Sequence, residues 1–231
     1  MWNMLSTPRK EKKVLADCLE TNQEINIQAK LVQRPEPLYW RTATCEVLKH
    51  ALTTSECGSI IDRAEKIGFE AALVNVGMGK QQLITDYRNS DRLIIDDTEF
   101  ATILFKRIWD YIPQEFRDPG GKVWKATCLN ERMRILRYKK GHFFKKHMDG
   151  QYDRPDGSES SRITVMIYLN GDYEGGHTLM YADEFDESVT VQAEPGMIFI
   201  FDHRLAHEAP TLQSGVKYAI RTDIMYAETV P

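Results

Sequence analysis

The chain has 231 residues, a hydrophobic fraction of 42% and a formal net charge of −4 at pH 7. This length is compatible with one large β-rich domain, and the apolar fraction is sufficient for a sizeable core. The slight acidity argues against binding to nucleic acid or to an anionic membrane surface, so neither is an expected partner.

The cysteines and the apolar segments indicate the compartment. The four cysteines are widely spaced and form no Cys-x-x-Cys pair, so we expect free, mostly buried thiols in a reducing environment. The start of the chain lacks the apolar segment of a signal peptide, and no apolar run is long enough to span a bilayer. These features predict a soluble, cytoplasmic protein.

The first 38 residues are polar and charged, and three prolines interrupt them. This composition predicts an N-terminal extension, residues 1–38, that packs loosely or serves a partner. A short helix around Arg9–Leu19 is the element we expect in it. The remainder, residues 39–231, is expected to form a single domain.

Two helices are predicted in the first half of this domain. A short strand at Thr42–His50 is followed by Thr53–Glu56, which can form a capping box at a helix start. A second capping signal, at Asp96–Glu99, opens another amphipathic helix, which ends before Pro113. Two amphipathic helices ahead of a run of strands predict helices packed on one face of a sheet.

From Cys128 onward the pattern is that of strands separated by turns rich in Gly, Asp and Pro, at spacings typical of a sandwich or jelly roll. The predicted strands are Glu131–Lys139, Phe143–Met148, Arg162–Leu169, His177–Tyr181, Val189–Gln192, Met197–Phe201 and Gly215–Tyr226. The third and the last alternate an apolar face, suited to burial under the helices, with a polar face suited to a cavity wall. The predicted fold is therefore α+β and mainly β. It is a double-stranded β-helix (jelly roll) with N-terminal helices packed on the major sheet.

The segment before Gly150 carries the triplet His147-Met148-Asp149. In an extended chain, side chains two residues apart project to the same face, so the imidazole and the carboxylate converge. Together with a distant histidine, they can form the two-histidine, one-carboxylate set that leaves half of an octahedral iron open. His207 can supply that histidine. In an alternative arrangement, His203 and His207 would form a zinc site if this stretch were helical.

The ordered motifs around this triplet resemble a prolyl 4-hydroxylase-type domain of the Fe(II)/2-oxoglutarate-dependent dioxygenases. The resemblance spans residues 42–226, and the residues that carry it are Tyr138, His147, Asp149, Arg162, Thr164, Tyr168, Leu169, Asn170, Glu174, Gly175, Gly176, Thr178, Pro195, Gly196, His207 and Lys217. It implies Fe(II) bound by His147, Asp149 and His207, with 2-oxoglutarate and O₂ as cosubstrates. The resemblance also allows ascorbate as a reductant. The implied reaction decarboxylates 2-oxoglutarate to succinate and hydroxylates an unactivated C–H bond.

The cosubstrate has two candidate anchors on the last strand. An unpaired ammonium inside a barrel is costly and therefore requires an anion. The resemblance assigns Lys217 to the distal carboxylate of 2-oxoglutarate, with further contacts from Tyr138 and Thr178. Arg221, four residues on and on the same face, could instead take the carboxylate, contact substrate or pair with Asp223.

The resemblance says less about the substrate. Arg162 resembles a family arginine that holds the substrate, although a plain salt bridge also fits. The loops Gly150–Ser161 and Gly79–Arg92 are predicted to be lids. Phe144 and Asp223 stand where peptidyl-proline hydroxylases usually carry a tyrosine and a tryptophan near the peptide groove.

Several functional alternatives therefore stay open at this stage. A peptidyl-proline or another protein residue is one substrate class, and a free amino acid or small metabolite is the other. A sensor module that binds metal and 2-oxoglutarate with little turnover is a different class, as is a redox-inert metal hydrolase on the same barrel. The sequence predicts no oligomeric state.

Overall fold

The computed structural model describes residues 14–21, 25–32, 43–75, 80–118, 120–181 and 188–229. These residues form two α-helices, α1 (Thr54–Ile67) and α2 (Thr98–Ile108), two short 3-10 helices (Ala16–Cys18 and Trp109–Tyr111) and nineteen strands. The strands are β1 (Gln28–Leu31), β2 (Cys45–Lys49), β3 (Glu70–Ala71), β4 (Val74–Asn75), β5 (Gln81–Gln82), β6 (Arg88–Asn89), β7 (Asp91–Asp96), β8 (Glu115–Arg117), β9 (Val123–Leu129), β10 (Arg132–Tyr138), β11 (Phe143–His147), β12 (Ser160–Tyr168), β13 (Glu174–Gly175), β14 (Thr178–Tyr181), β15 (Ser188–Val191), β16 (Ile198–Asp202), β17 (His207–Ala209), β18 (Leu212–Ser214) and β19 (Lys217–Thr229).

Two antiparallel sheets make up the body of the fold. The major sheet has the order β1-β2-β16-β12-β19-β10-β7-β3, and β9 and β8 continue beside the second half of β19. The minor sheet has the order β15-β14-β17-β11-β6. The architecture is a jelly roll, which confirms the predicted fold class.

The major sheet buries a different apolar cluster on each face. On one face, Ile163, Val165 and Ile167 of β12 are buried with Phe100 and Leu104 of α2. The second cluster contains side chains from both sheets. The alternation of β12 between these clusters is the one predicted from its sequence, because successive strand residues point to opposite faces.

Both helices begin where their capping signals predict. The hydroxyl of Thr53 accepts the N–H of Glu56 at 3.1 Å, and the Glu56 carboxylate accepts the N–H of Thr53 at 2.8 Å. At α2, Asp97 Oδ1 accepts the N–H of Phe100 at 2.9 Å. Each cap satisfies N–H groups that lack partners within the helix.

The described part of the N-terminal extension is packed into the core, so the expectation of loose packing is wrong there. Leu15 is fully buried, and β1 pairs with β2 at the edge of the major sheet. Asp97 Oδ2 accepts the N–H groups of Val14, Leu15 and Ala16 at 3.0, 2.7 and 3.2 Å. A carboxylate distant in sequence therefore fixes this segment, and local composition does not reveal such a partner.

Other predicted elements differ in detail. The predicted helix around Arg9–Leu19 is a short 3-10 turn at Ala16–Cys18 in its described part, while residues 9–13 lie outside it. Strands β7 and β9 were not predicted, because each carries charged residues that obscure the period of two. The domain boundary between residues 38 and 39 also lies outside the described residues and stays a prediction.

Two observations bear on the compartment. All four cysteines carry free thiols, as predicted. Neither described helix has the length and apolar character needed to cross a bilayer.

We expect Asp97→Ala to lower the free energy of unfolding by about 2–4 kcal/mol, because a helix cap and three further N–H groups lose their acceptor. Urea unfolding measures this loss. Asp96→Ala is the matched control, since the neighbouring carboxylate is half-exposed and pairs with Arg132 at 2.8 Å on the surface. Its loss should stay below about 1 kcal/mol, and equal losses in the two variants would contradict the role given to Asp97.

Candidate active site

The three predicted metal ligands lie at one end of the minor sheet. β11 and β17 are antiparallel neighbours, and His147 is paired with His207 in their register. Asp149 follows β11 directly, and its N–H donates to the carbonyl of His203 at 2.8 Å. Strand pairing therefore positions both imidazoles, and one backbone hydrogen bond fixes the carboxylate beside them.

The side chains of this triad (His147, Asp149 and His207) converge on one point. One ligand atom from each residue lies within 4.8 Å of the other two. His147 Nε2 is 3.9 Å from Asp149 Oδ1, and His207 Nε2 is 3.7 Å from Asp149 Oδ2. These three side chains could together hold one metal ion.

The backbone sets the tautomer of both histidines. His147 Nδ1 lies 2.7 Å from the carbonyl oxygen of Lys145, and His207 Nδ1 lies 3.0 Å from that of Leu205. A carbonyl oxygen only accepts, so each Nδ1 donates and each Nε2 keeps its lone pair for a metal. Burial and the neighbouring His207 lower the pKa of His147 to about 3, which keeps its imidazole neutral.

The two carboxylate oxygens of Asp149 differ in their contacts. Its Oδ2 accepts the hydroxyl of Thr164 at 2.7 Å and lies 3.2 Å from Arg221 Nε. Among the described residues, no hydrogen bond engages Oδ1. Burial by itself raises the pKa of this carboxyl, but the Arg221 guanidinium and the two imidazoles hold it below its usual range.

The donor set fits a ferrous ion: two imidazoles and one carboxylate line a common cavity. The alternative zinc site does not form. Residues 203–206 are a turn between β16 and β17 rather than a helix. His203 lies in this turn, and its backbone carbonyl accepts the N–H of Asp149.

The triad and Lys217 line one cavity of about 410 Å³. Lys217 is 3% exposed, and its ammonium donates to the carbonyl of Gly176 at 2.5 Å. The ammonium also lies 5.4, 5.6 and 5.9 Å from the ring centroids of Tyr138, Tyr168 and Tyr173. No carboxylate pairs with it among the described residues. Burial accordingly lowers the pKa of Lys217 to about 7.

The other predicted cosubstrate contacts occupy the same cavity. Arg221 is already paired, since its Nη2 lies 3.0 Å from Asp223 Oδ1 in addition to its contact with Asp149. The Tyr138 side chain is buried in the wall, and the Thr178 hydroxyl lies 2.6 Å from that of Tyr168.

Arg162 lies elsewhere. It lines a second cavity of about 610 Å³ and stacks its guanidinium 4.7 Å from the Trp124 ring. Its Nη1 donates to Gln151 Oε1 at 3.2 Å, and Gln151 in turn lines the first cavity. Its contact with substrate therefore stays a prediction.

The loop at 150–161, predicted to be a mobile lid, is a hydrogen-bonded turn. A β-bridge joins Asp153 to Ser160, and Arg154 binds Glu131 at 2.9 Å and Glu159 at 2.6 Å. Its first residues line the triad cavity.

Sequence reasoning missed three arginines in the cavity wall, Arg88, Arg92 and Arg134. The signal for Arg134 was present, because it shares a strand face with Tyr138 four residues later. Arg88 was hidden in a loop, and it contacts Phe144, whose ring stacks 3.6 Å from that of His147.

Comparison with known proteins places this geometry in context. Residues 133–222 match the family model described as the 2OG-Fe(II) oxygenase superfamily. A search of curated proteins gave no match. A prolyl 4-hydroxylase from Pseudomonas putida is 15% identical, with 80% of this chain and 94% of that chain covered and a TM-score of 0.53.

The viral collagen prolyl hydroxylase of Paramecium Bursaria Chlorella virus-1, solved as a 2-oxoglutarate complex, is 20% identical. The alignment covers 79% of this chain and 96% of that chain, with a TM-score of 0.50. At such identities the likeness establishes the fold, and the family match extends over the strands that carry the triad. Residues 133–222 are therefore similar to the 2OG-Fe(II) oxygenase superfamily, and the chain shares the jelly-roll fold of these solved prolyl hydroxylases.

Proposed function

We propose that His147, Asp149 and His207 hold the Fe(II), and that the chain hydroxylates an unactivated C–H bond of its substrate while 2-oxoglutarate is decarboxylated to succinate. One observation carries this proposal. A convergent two-histidine, one-carboxylate set shares a cavity with a buried lysine that lacks a carboxylate partner among the described residues. When bound, the iron supplies the activation of O₂.

The protein's own groups orient the ligands. The carbonyls of Lys145 and Leu205 hold the two rings with Nε2 toward the cavity. Thr164 and Arg221 act as positioning residues, because they bind the Oδ2 of Asp149 and leave Oδ1 unengaged. Such outer partners set the orientation and the protonation of metal ligands.

Lys217 is the proposed anchor for the distal carboxylate of 2-oxoglutarate, with Tyr138 and Thr178 beside it in the wall. Its ammonium has no carboxylate partner in the described part of the chain, whereas Arg221 is paired with Asp149 and Asp223. Burial destabilises the charged form of Lys217, and an anion bound beside it would stabilise that form. The tyrosine rings around the ammonium keep water away from this end of the cavity.

The substrate is a protein residue, peptidyl-proline included, or alternatively a free amino acid or small metabolite. The fold of the prolyl hydroxylases supports the first class, and Phe144 and Asp223 at the groove positions support the second. A cytoplasmic location is also proposed, and the four free thiols support it.

We expect His147→Ala and Asp149→Ala to reduce Fe(II)-dependent succinate formation by about 100-fold or more, because each removes one of three ligands. The assay follows succinate with and without ascorbate, and metal analysis after anaerobic loading gives iron per chain. His142→Ala is the matched control, since His142 lies outside the triad. Undiminished succinate in His147→Ala would refute the ligand assignment. Iron binding without succinate in the wild type would instead indicate a sensor module.

We expect Lys217→Met to raise the Kd of 2-oxoglutarate by about 10- to 100-fold, because a charge-assisted hydrogen bond is lost. Anaerobic calorimetry with the iron-loaded enzyme measures this change, and the exposed Lys139→Met is the control. An unchanged Kd in Lys217→Met, together with a raised Kd in Arg221→Met, would identify Arg221 as the anchor.

The same Lys217→Met variant should be more stable than the wild type without 2-oxoglutarate. Because burial lowers the pKa of Lys217 from 10.5 to about 7, the unfolded chain binds more protons than the folded chain between these values. Wild-type stability from this group therefore rises with pH through that window and is lowest below pH 7. Urea unfolding should show a gain of about 1–3 kcal/mol for the variant at pH 6, shrinking as the pH rises. A gain that grows with pH would contradict the assigned pKa.

A further inference from the structure

The cavity wall carries more positive charge than binding of the metal and 2-oxoglutarate requires. The cationic side chains that line it are Arg88, Arg92, Arg134, Lys217 and Arg221. The carboxylates in the same wall are Asp149 and Glu208, and Asp223 lies behind them. The charges of Fe(II) and of the 2-oxoglutarate dianion cancel each other, so the loaded site stays cationic.

The partners of these cations differ. Arg92 lies 3.9 Å from Glu70, Arg134 lies 3.4 Å from Asp223, and Arg221 is paired as described above. Arg88 has no carboxylate within salt-bridge distance among the described residues. It donates from Nε to the hydroxyl of Ser90 at 3.1 Å, which leaves its two terminal nitrogens for another group.

Backbone hydrogen bonds hold the main chain of Arg88 in place. It pairs with Phe144 in the register of β6 and β11, and its own N–H donates to the carbonyl of Ile84 at 2.9 Å. The guanidinium carbon lies 4.6 Å from the centroid of the Phe144 ring. That ring also stacks on His147, so one aromatic side chain contacts both the arginine and a proposed metal ligand.

A guanidinium in a cavity wall loses much of its hydration, and burial accordingly lowers the pKa of Arg88 below its ordinary value. An anion bound beside the guanidinium would replace the stabilisation that hydration gives it in water. The planar fork of arginine matches a carboxylate, which can accept two parallel N–H···O bonds.

We propose that Arg88 binds a carboxylate group of the substrate and thereby holds the reacting C–H bond beside the triad. Arg88 is thus a specificity-determining residue. This inference rests on the proposed function, since it assumes that Lys217 binds the cosubstrate and that the triad binds iron. The carboxylate belongs to a free amino or organic acid, or to an acidic residue of a peptide.

The test measures succinate formation by the full-length, iron-loaded enzyme at saturating 2-oxoglutarate. One arm adds free amino acids and small organic acids, each beside its amide. The other arm adds end-blocked peptides that contain Asp or Glu, each beside its Asn or Gln counterpart. We expect stimulation by an acid and not by its amide, and the responding arm identifies the source of the carboxylate.

The variant Arg88→Gln should raise the KM for that acid by about 10-fold or more, as expected for the loss of a charge-assisted hydrogen bond. Its Kd for 2-oxoglutarate should match the wild type. The control is Lys140→Gln, which removes an exposed cation outside the cavity and should leave the KM unchanged.

Three results would overturn the inference. They are stimulation by amides as strong as by acids, an unchanged KM in Arg88→Gln, and the absence of any stimulating acid in either arm. Two further results would assign Arg88 to another anion. One is stronger stimulation by a phosphate monoester than by any carboxylic acid, and the other is weaker 2-oxoglutarate binding in Arg88→Gln. Loss of 2-oxoglutarate binding by the wild type itself would instead refute the proposed function.

Discussion

The antiparallel pairing of β11 with β17 is the constraint on which the candidate site depends. It sets His147 opposite His207, residues that are distant in sequence, and it does so through backbone hydrogen bonds. Asp149 lies two residues after His147, and the hydrogen bond from its N–H to the carbonyl of His203 holds it at the same point. The jelly roll contributes a rigid frame for these strands, because the major sheet is covered on one face by α1 and α2. A site on paired strands holds its geometry more closely than a site on loops.

The electrostatics of the cavity reflect a compromise between stability and binding. Lys217, which has no carboxylate partner among the described residues, and the guanidinium groups in the same wall destabilise the folded chain when no ligand is bound. Small anions that entered the cavity would offset this cost. Ligand binding and folding stability are therefore linked, and an anion that binds the folded state raises its stability.

Much of the fold and of the site could be predicted from the sequence. The helix caps at Thr53 and Asp97, the alternation of β12 and the His147-x-Asp149 spacing are local patterns, and the structure reproduces each of them. The failures concern long-range partners. Nothing near Leu15 indicates that Asp97 would bind its backbone.

The missed cavity residues show the same limit. Arg88 belongs to a short polar segment whose strand character appears only when β11 pairs with it. Arg162 fits the family pattern in sequence, yet its side chain turns to the rings of Trp124 and Phe116. Side-chain direction at a strand irregularity, such as the register shift between Ser161 and Ile163, does not follow from alternation alone.

The double engagement of Asp149 Oδ2 has a consequence for the number of ligand atoms that this carboxylate can give. If Asp149 holds the proposed Fe(II), Thr164 and Arg221 on Oδ2 would favour binding through Oδ1 alone. A chelating carboxylate would occupy one more place on a six-coordinate ion, and 2-oxoglutarate and O₂ together need three. In the proposed site, Thr164 and Arg221 would thus help to keep a place free for O₂ through their contacts with Asp149 alone.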